Sequence, residues 1–374
     1  MIYKVLFFAT EDPRKASSWS NVPNRFIHAL EKRGIEVVAV QMLPYPKMGY
    51  LWDYFFRRVL KVLLQTEPRY FNRTRLAKWL GERIIQKTVR KHADADLCVF
   101  VGYQFVNRFN DIPSLLFSDW SNEIAFERAG KLPSIFERRN LEQERKAICH
   151  AKYVVSMFPV CAKRMKELYP EANILYFGGN VVNNFYDKDL VEEEVLKRKR
   201  KSHTILFVGK PDRYKESAIK VMEAFKSVRE RDKNVQLHIV GIRQRDFKTI
   251  PDGVTCHGFL HKDDEKECQE YYNLLLDAKV IINPTPQWAA YSSLIEAMYF
   301  YTPVVVSPYK DFVEEFGQDI PFGRYNEDYS VEGIQKDLER VLHSSEYDDL
   351  CKSAHHQVQT YTWDDYVEKL LNSL

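Results

Sequence analysis

The first apolar run, VLFFA at 5–9, is compact and unbroken. A polar loop (TEDPRKASSWSN), a helical repeat through Phe26, Ile27 and Leu30, a Gly34 stop and a second apolar run at 37–40 follow it. Strand, loop, helix and strand in that order form the unit of a parallel sheet. Further strands are expected at Leu97–Val101, 114–117, Tyr153–Ser156 and 174–177, separated by long helical stretches. After the charged stretch EEEVLKRKRKSH the pattern restarts: TILFVGK, a helix over 215–231, the strands VQLHIVG and VTCHG, a helix through 271–276, KVIINP, the short helix SSLIEAMYF and PVVVS. Alternation of this kind predicts a second doubly wound α/β sheet. The expected organisation is therefore two Rossmann-like lobes, 1–195 and 203–360, hinged near 197–202 and facing a central cleft. Residues 361–374 (YTWDDYVEKLLNSL) form an amphipathic helix, capped by Thr362 or Asp364, that packs back on the lobes.

Length suits two domains with separate cores, and 45 % apolar against 29 % charged residues is ordinary globular composition. A net charge of +3 leaves no global argument for nucleic acid. The charge is unevenly spread, however. Between Tyr50 and His92 eleven Lys or Arg face three Asp or Glu, a local +8, and rings interleave with them. Basic amphipathic helices with aromatic faces suit an anionic membrane surface; the other reading is a helix pair with a solvated basic face. The six cysteines are far apart, lack a CxxC pair and read as reduced thiols of a cytoplasmic protein. The N-terminus has no signal-peptide cleavage pattern, and no apolar run approaches the roughly 18 residues of a spanning helix. The expected location is cytoplasmic, with the inner membrane face as a second option.

In open parallel sheets ligands bind beyond the carboxyl ends of the strands, which directs attention to the loops after Gly209, Gly241, Gly258 and Pro284. Gly209, Lys210 and Lys215 combine close backbone approach, a helix N-terminus and two cations, the makings of a phosphate site; a solvated loop explains the same residues. Ser292 and Ser293 open a helix after a strand and aim free N–H groups in the same direction. Glu296, set among Leu294, Ile295, Ala297 and Met298, needs a partner. It either completes a capping box with Ser293 or awaits a ligand. Asp94-Ala-Asp96 precedes a strand, on the wrong side of the sheet for a metal-binding DxD, and His355-His356 lacks zinc spacing, so no metal is expected. KRKRK at 197–201 reads as a solvated hinge. The absence of GxGxxG after either opening strand weighs against a dehydrogenase.

Taken together, ILFVGK followed by a second lysine, LHIVG, HGFL, DAKVIINPT and SSLIEAMYFYTPVVVS resemble the carboxyl lobe of retaining nucleotide-sugar glycosyltransferases of family four, which have the GT-B fold. LLFSDWS, ILYFGGNVVNNF and TWDDY are similar to the family's first-lobe strand ends and its final helix. The resemblance is most specific over 204–307. It implies a hexosyl- or deoxyhexosyltransferase that moves a sugar from a nucleoside diphosphate donor to a glycan or lipid-linked acceptor, with no metal or cofactor. It places Lys210 and Lys215 on the donor diphosphate, Glu296 on the ribose, Ser292 and Ser293 on phosphate oxygens, and Gly209, Gly241 and Gly258 in loops around the nucleotide. Asp119 takes the catalytic side of the first lobe, where capping of the next helix is the alternative, and Ser18 and Trp19 take the acceptor side. Three positions depart from the family pattern. Trp288 stands where the first Glu of E-x7-E meets the sugar, Tyr301 replaces the glycine before PVV, and Glu216 replaces the glycine after the second lysine. The first departure admits a second expectation, a nucleotide-binding subunit without sugar transfer of its own.

Overall fold

The computed structural model describes residues 2–15, 18–64, 71–178, 181–182, 186, 188–287 and 291–374. The chain divides into two compact units, Met1–Gly179 together with Tyr366–Leu374, and Asn180–Asp365.

The first unit holds β1 (Lys4–Ala9), β2 (Glu36–Gln41), β3 (Leu97–Val101), β4 (Ser114–Ser118), β5 (Tyr153–Ser156) and β6 (Ile174–Leu175), in the order β2-β1-β3-β4-β5-β6. All neighbouring pairs are parallel, with Val5 set between Val37 and Leu97. Val5, Leu6, Phe7 and Phe8 are all buried, because helices cover both faces of a parallel sheet and leave no solvent side for alternation. Phe8 stacks on Phe100 at 4.7 Å on one face and Phe7 meets Phe26 edge-on at 5.4 Å on the other. The expected strand over 174–177 is cut short: only Ile174 and Leu175 pair with β5.

The second unit holds β7 (Thr204–Val208), β8 (Gln236–Val240), β9 (Val254–Gly258), β10 (Ala278–Asn283), β11 (Val304–Val306) and β12 (Gly323–Tyr325), in the order β12-β11-β10-β7-β8-β9, again parallel throughout. Strand β12 is only three residues long (GRY), too short for any apolar signal. Within each sheet the strand order reverses once, between β1 and β3 and between β7 and β10. Such a reversal opens a crevice at the strands' carboxyl ends, where ligands of doubly wound folds bind.

Two local readings change, and the cap of the last helix resolves to one of its two candidates. The helix after β7 begins at Pro211, not Lys215, since proline has the helical φ and lacks only an N–H that the first turn would leave unpaired. Lys210 is its N-cap position and Lys215 lies in the second turn. The KRKRK stretch is not a solvated hinge: Glu192–Lys201 is a helix of the second unit, and Lys199 is 0 % exposed. Its ammonium donates to the carbonyls of Leu275 (3.1 Å) and Ala278 (2.9 Å) and to Thr302 Oγ1 (2.7 Å), one acceptor for each N–H. Burial lowers its pKa to about 7. The last helix, Trp363–Asn372, is capped by Thr362, whose hydroxyl accepts from the Asp365 N–H at 3.2 Å.

Candidate functional site

In the second unit, three glycines stand at the carboxyl ends of β7, β8 and β9 and are joined by backbone hydrogen bonds. The Gly209 N–H donates to Val240 (3.0 Å), the Gly241 N–H to Gly258 (2.6 Å) and the Gly258 N–H to Ile242 (3.1 Å). Gly241 has φ +95°, and a Cβ there would fall 2.3 Å from the Gly209 carbonyl oxygen, so only glycine lets the two loops approach. A Cβ on Gly209 would meet the Tyr214 ring at 2.7 Å. Tyr214 thus fills the space that the glycine leaves, and locks the β7 loop onto the first turns of the Pro211–Arg231 helix.

Lys210 and Lys215 are both exposed, and neither ammonium makes a hydrogen bond or ion pair among the described residues. Asp212 is the acid of the helix's first turn, and Glu216 follows Lys215 in the chain. Across the strand-order reversal, the end of β10 is braced by a partly buried polar chain that no sequence pattern singles out. The Asn283 amide donates to the Val208 carbonyl (3.2 Å), Thr285 Oγ1 reaches Asn283 Oδ1 (2.6 Å) and Ser217 (2.7 Å), and Ser217 meets the Tyr329 hydroxyl (2.7 Å). A polar residue ending an otherwise apolar strand, Asn283 after KVII, is the one signal that could have pointed to it. These bonds tie the loops after β7 and β10 to each other, a prerequisite for a site of fixed shape.

Glu296 lies in the helix Tyr291–Tyr299 and is 6 % exposed. It is not part of a capping box. Ser293 is the third residue of the described helix, not its cap, and both Glu296 oxygens point to another element. Oε1 lies 2.5 Å from the Lys262 ammonium and Oε2 accepts from the Tyr271 hydroxyl at 2.8 Å. Burial first, and Glu296 second, hold the Tyr271 hydroxyl far above the usual phenol range, so it donates at any ordinary pH. The Lys262 ammonium also lies 4.6 Å from the Tyr271 ring centre, a cation–π contact. Lys262 follows HGFLH, in the loop after β9, and its position beyond a strand end was the available cue. Ser292 is exposed and Ser293 half-buried at the same helix start, and Trp288 lies outside the described residues.

In the first unit, Asp119 follows β4 and is half-buried. Its Oδ1 accepts from the Trp120 N–H (2.8 Å) and the Ser118 hydroxyl (3.2 Å). It does not cap the next helix, Asn122–Arg128, because Ser121 does so through the Ile124 N–H. Ser18 is buried and its hydroxyl donates to the Asp12 carbonyl at 2.5 Å. Trp19, at φ +39°, lays its ring edge-on to Phe117 at 5.9 Å. Both side chains thus brace the loop after β1. Asn21, in the same loop, has a buried amide with no hydrogen-bond partner among the described residues. Asp96 accepts from the Tyr3 and Lys4 N–H groups (2.7 and 2.9 Å), tying the start of β3 to that of β1. No group of three potential metal ligands occurs among the described residues, and none of the helices described is long and apolar enough to cross a membrane. None of the six cysteines forms a disulfide.

One departure from the family pattern has a visible consequence. Tyr301 takes the left-handed conformation (φ +59°) that suits glycine, and its ring stacks on His355 at 4.0 Å and 3°. The stacking offsets backbone strain that a glycine would not have.

Residues 202–343 match the sequence profile of the family described as Glycosyl transferases group 1. A search of curated proteins gave no match. Among solved structures the chain is similar to WaaG, a glycosyltransferase involved in lipopolysaccharide biosynthesis (TM-score 0.65, 15 % identity, 98 % of each chain covered). It is also similar to the sucrose-phosphate synthase of Thermosynechococcus elongatus (TM-score 0.63, 14 % identity, 99 % of this chain and 98 % of that one). A third similar structure is a mutant of S. aureus TarM in complex with Fondaparinux, alpha-GlcNAc-glycerol and UDP (TM-score 0.55, 16 % identity). That match covers 78 % of this chain, which spans 58 % of the TarM chain, less than two thirds of its length. The two parallel sheets, each flanked by helices, are the two Rossmann-like lobes of the GT-B fold, and the second carries the glycosyl transferases group 1 pattern.

Proposed function

We propose that the protein is a retaining glycosyltransferase of the family-four type, which transfers a hexosyl or deoxyhexosyl group from a nucleoside diphosphate sugar to a glycan or lipid-linked acceptor. The observation that carries this reading is the pair of cations Lys210 and Lys215, unpaired among the described residues, beside the glycine-only approach of Gly209 and Gly241 at the strand-order reversal. A diphosphate is the ligand that two free ammonium groups, a helix N-terminus and close backbone suit together. Ser292 and Ser293 add the start of a second helix, and Glu296 supplies a positioned carboxylate for the ribose hydroxyls. Lys262 shares that carboxylate until the nucleotide arrives.

In the reaction, the bond from the sugar's anomeric carbon to the diphosphate breaks as an acceptor oxygen bonds to that carbon from the same face. The departing diphosphate takes the acceptor's proton, so no protein nucleophile is required. Lys210 and Lys215 stabilise the charge that grows on the leaving group, the electrostatic share of catalysis. Asp119, Ser18 and Trp19 are assigned to the acceptor lobe, with Asp119 at the end of β4 as its catalytic-side acid.

The test is thermal unfolding with UDP, GDP, ADP and dTDP on the wild type, Lys215→Ala and Glu296→Gln. A nucleotide at about 100 times its dissociation constant adds roughly 2.7 kcal/mol, several degrees in the melting temperature. Stabilisation of the wild type by one nucleotide, lost in both variants, is the expected result. No stabilisation by any of the four defeats the reading. A second reading rests on Trp288, which stands where the family has a sugar-contacting Glu: a nucleotide-binding subunit without transfer. Nucleotide binding without turnover across a panel of donor sugars would select it.

A further inference from the structure

Sixteen large apolar side chains stand exposed among the described residues, and ten of them fall between Met48 and Trp79. Most belong to one helical stretch, built from Pro46–Leu51, a π-helical turn at Trp52–Phe56 and Arg57–Leu64. Across 47–62 no side chain is buried. Tyr50 is 68 % exposed, Phe55 56 % and Val62 79 %. The stretch is held at Asp53, whose carboxylate accepts from the Phe71 N–H at 2.9 Å. The next helix, Arg75–Lys91, packs Ala77, Gly81, Ile85 and Val89 into the first unit and leaves Leu76 and Trp79 outside.

A helix owes most of its stability to an apolar face buried against something, and monomeric soluble proteins rarely leave so many apolar side chains contiguous and wet. The cations on this surface narrow what covers it. Residues 50–92 carry a net +8, and the cations sit with the rings: Arg58 lies 4.3 Å over Tyr54 and Arg83 4.6 Å over Trp79. A second copy of the chain would bring +8 against +8. Nucleic acid would answer the charge but would leave Leu51, Val59 and Val62 without an apolar partner. An anionic bilayer answers both, since aromatic and aliphatic groups enter the headgroup region while Lys and Arg meet lipid phosphates.

We propose that the 46–64 and 75–91 helices dock the first unit on an anionic lipid surface, with Tyr50, Leu51, Phe55 and Phe56 at headgroup depth and Arg57, Arg58 and Lys61 on the phosphates. The inference does not need the nucleotide site. Joined to the proposed function, it places the acceptor among molecules anchored in that membrane.

The test is co-sedimentation of the full chain with vesicles of phosphatidylcholine alone and of phosphatidylcholine mixed with phosphatidylglycerol, at about 0.1 M salt, where the screening length is about 10 Å. Binding at least about tenfold tighter to the anionic vesicles is expected, because each basic residue near the surface adds about fivefold. Arg57→Gln, Arg58→Gln and Lys61→Gln together should weaken it by about a hundredfold on the same scale. Phe55→Ser with Phe56→Ser should weaken it without touching the charge. None of these side chains is buried, so the melting temperature and nucleotide binding of each variant should match the wild type. A defect in nucleotide binding alone would therefore count against the proposed function and leave this inference standing. Equal binding to both vesicles, or none, overturns the inference. So does a dimer that Phe55→Ser with Phe56→Ser dissociates, or tighter binding to single-stranded RNA than to anionic vesicles.

Discussion

Lys262→Met would leave Glu296 as a buried carboxylate with one donor. Glu296 has an 8 % exposed side chain, and the Lys262 ammonium at 2.5 Å is its charged partner. Removing one member of a fully buried pair costs about 3–5 kcal/mol. Two features reduce that here. The Lys262 side chain is 23 % exposed, so water reaches the vacated position, and the Tyr271 hydroxyl still donates at 2.8 Å. The expected loss is about 2 kcal/mol, or roughly 5 °C in the unfolding midpoint of a unit this size. The discriminating arm is the double variant Lys262→Met with Glu296→Gln. A neutral amide carbonyl can still accept from Tyr271 but has no charge to desolvate, so the double variant should be about 1 kcal/mol more stable than Lys262→Met alone. Urea unfolding followed by circular dichroism measures both. A loss below about 0.5 kcal/mol for the single variant, or a double variant less stable than the single, would refute the claim that Lys262 compensates a buried charge.

Glu144 is buried, accepts from both amide groups of Asn122 and has its pKa raised by burial to about 7 from 4.5. Because the folded state holds the proton more tightly, this stability is fully present below about pH 4.5 and is lost as the pH rises through about 7, at most about 3 kcal/mol. Glu144→Gln should flatten that part of the stability profile, and an unchanged slope between about pH 5 and 7.5, as measured by urea unfolding, would count against it. Gly241→Ala drives a Cβ to 2.3 Å from the Gly209 carbonyl oxygen at a positive φ; a loss of about 3 kcal/mol or more is expected, together with loss of nucleotide binding by calorimetry. Tyr301→Gly should relieve about 1 kcal/mol of backbone strain yet lose more in ring burial and stacking on His355. A net loss of about 2 kcal/mol in thermal unfolding is expected, and a stabilised variant would show the ring to be dispensable.

Much of the fold was legible because buried parallel strands leave an unmistakable trace. Runs such as VLFFA and KVIIN have no polar face, since both sides of such a sheet are covered, and glycines and polar loops mark where they end. Strand β12 lacked that trace, being three residues held by its neighbour rather than by its own pattern, while β6 keeps only the first half of the apolar run that announced it. Lys199 shows the opposite limit. In KRKRK nothing sets one lysine apart, and only packing against the ends of other elements supplies the three acceptors that bury it.

The candidate site divides in the same way. Gly209, Lys210, Lys215 and the Ser292 helix start follow from chain order, because a loop after a parallel strand must lie at the carboxyl end of the sheet. The partner of Glu296 does not follow. Lys262 is 34 residues away and Tyr271 25, on a loop and a helix that meet the carboxylate only after β9 and β10 take their places in the sheet. Sequence determined which strands are buried and where their loops emerge, since burial and turn chemistry are local properties of the chain. Tertiary structure alone decided which side chain neutralises which, and left the 46–64 helix without a core to enter, because these depend on what distant segments bring alongside.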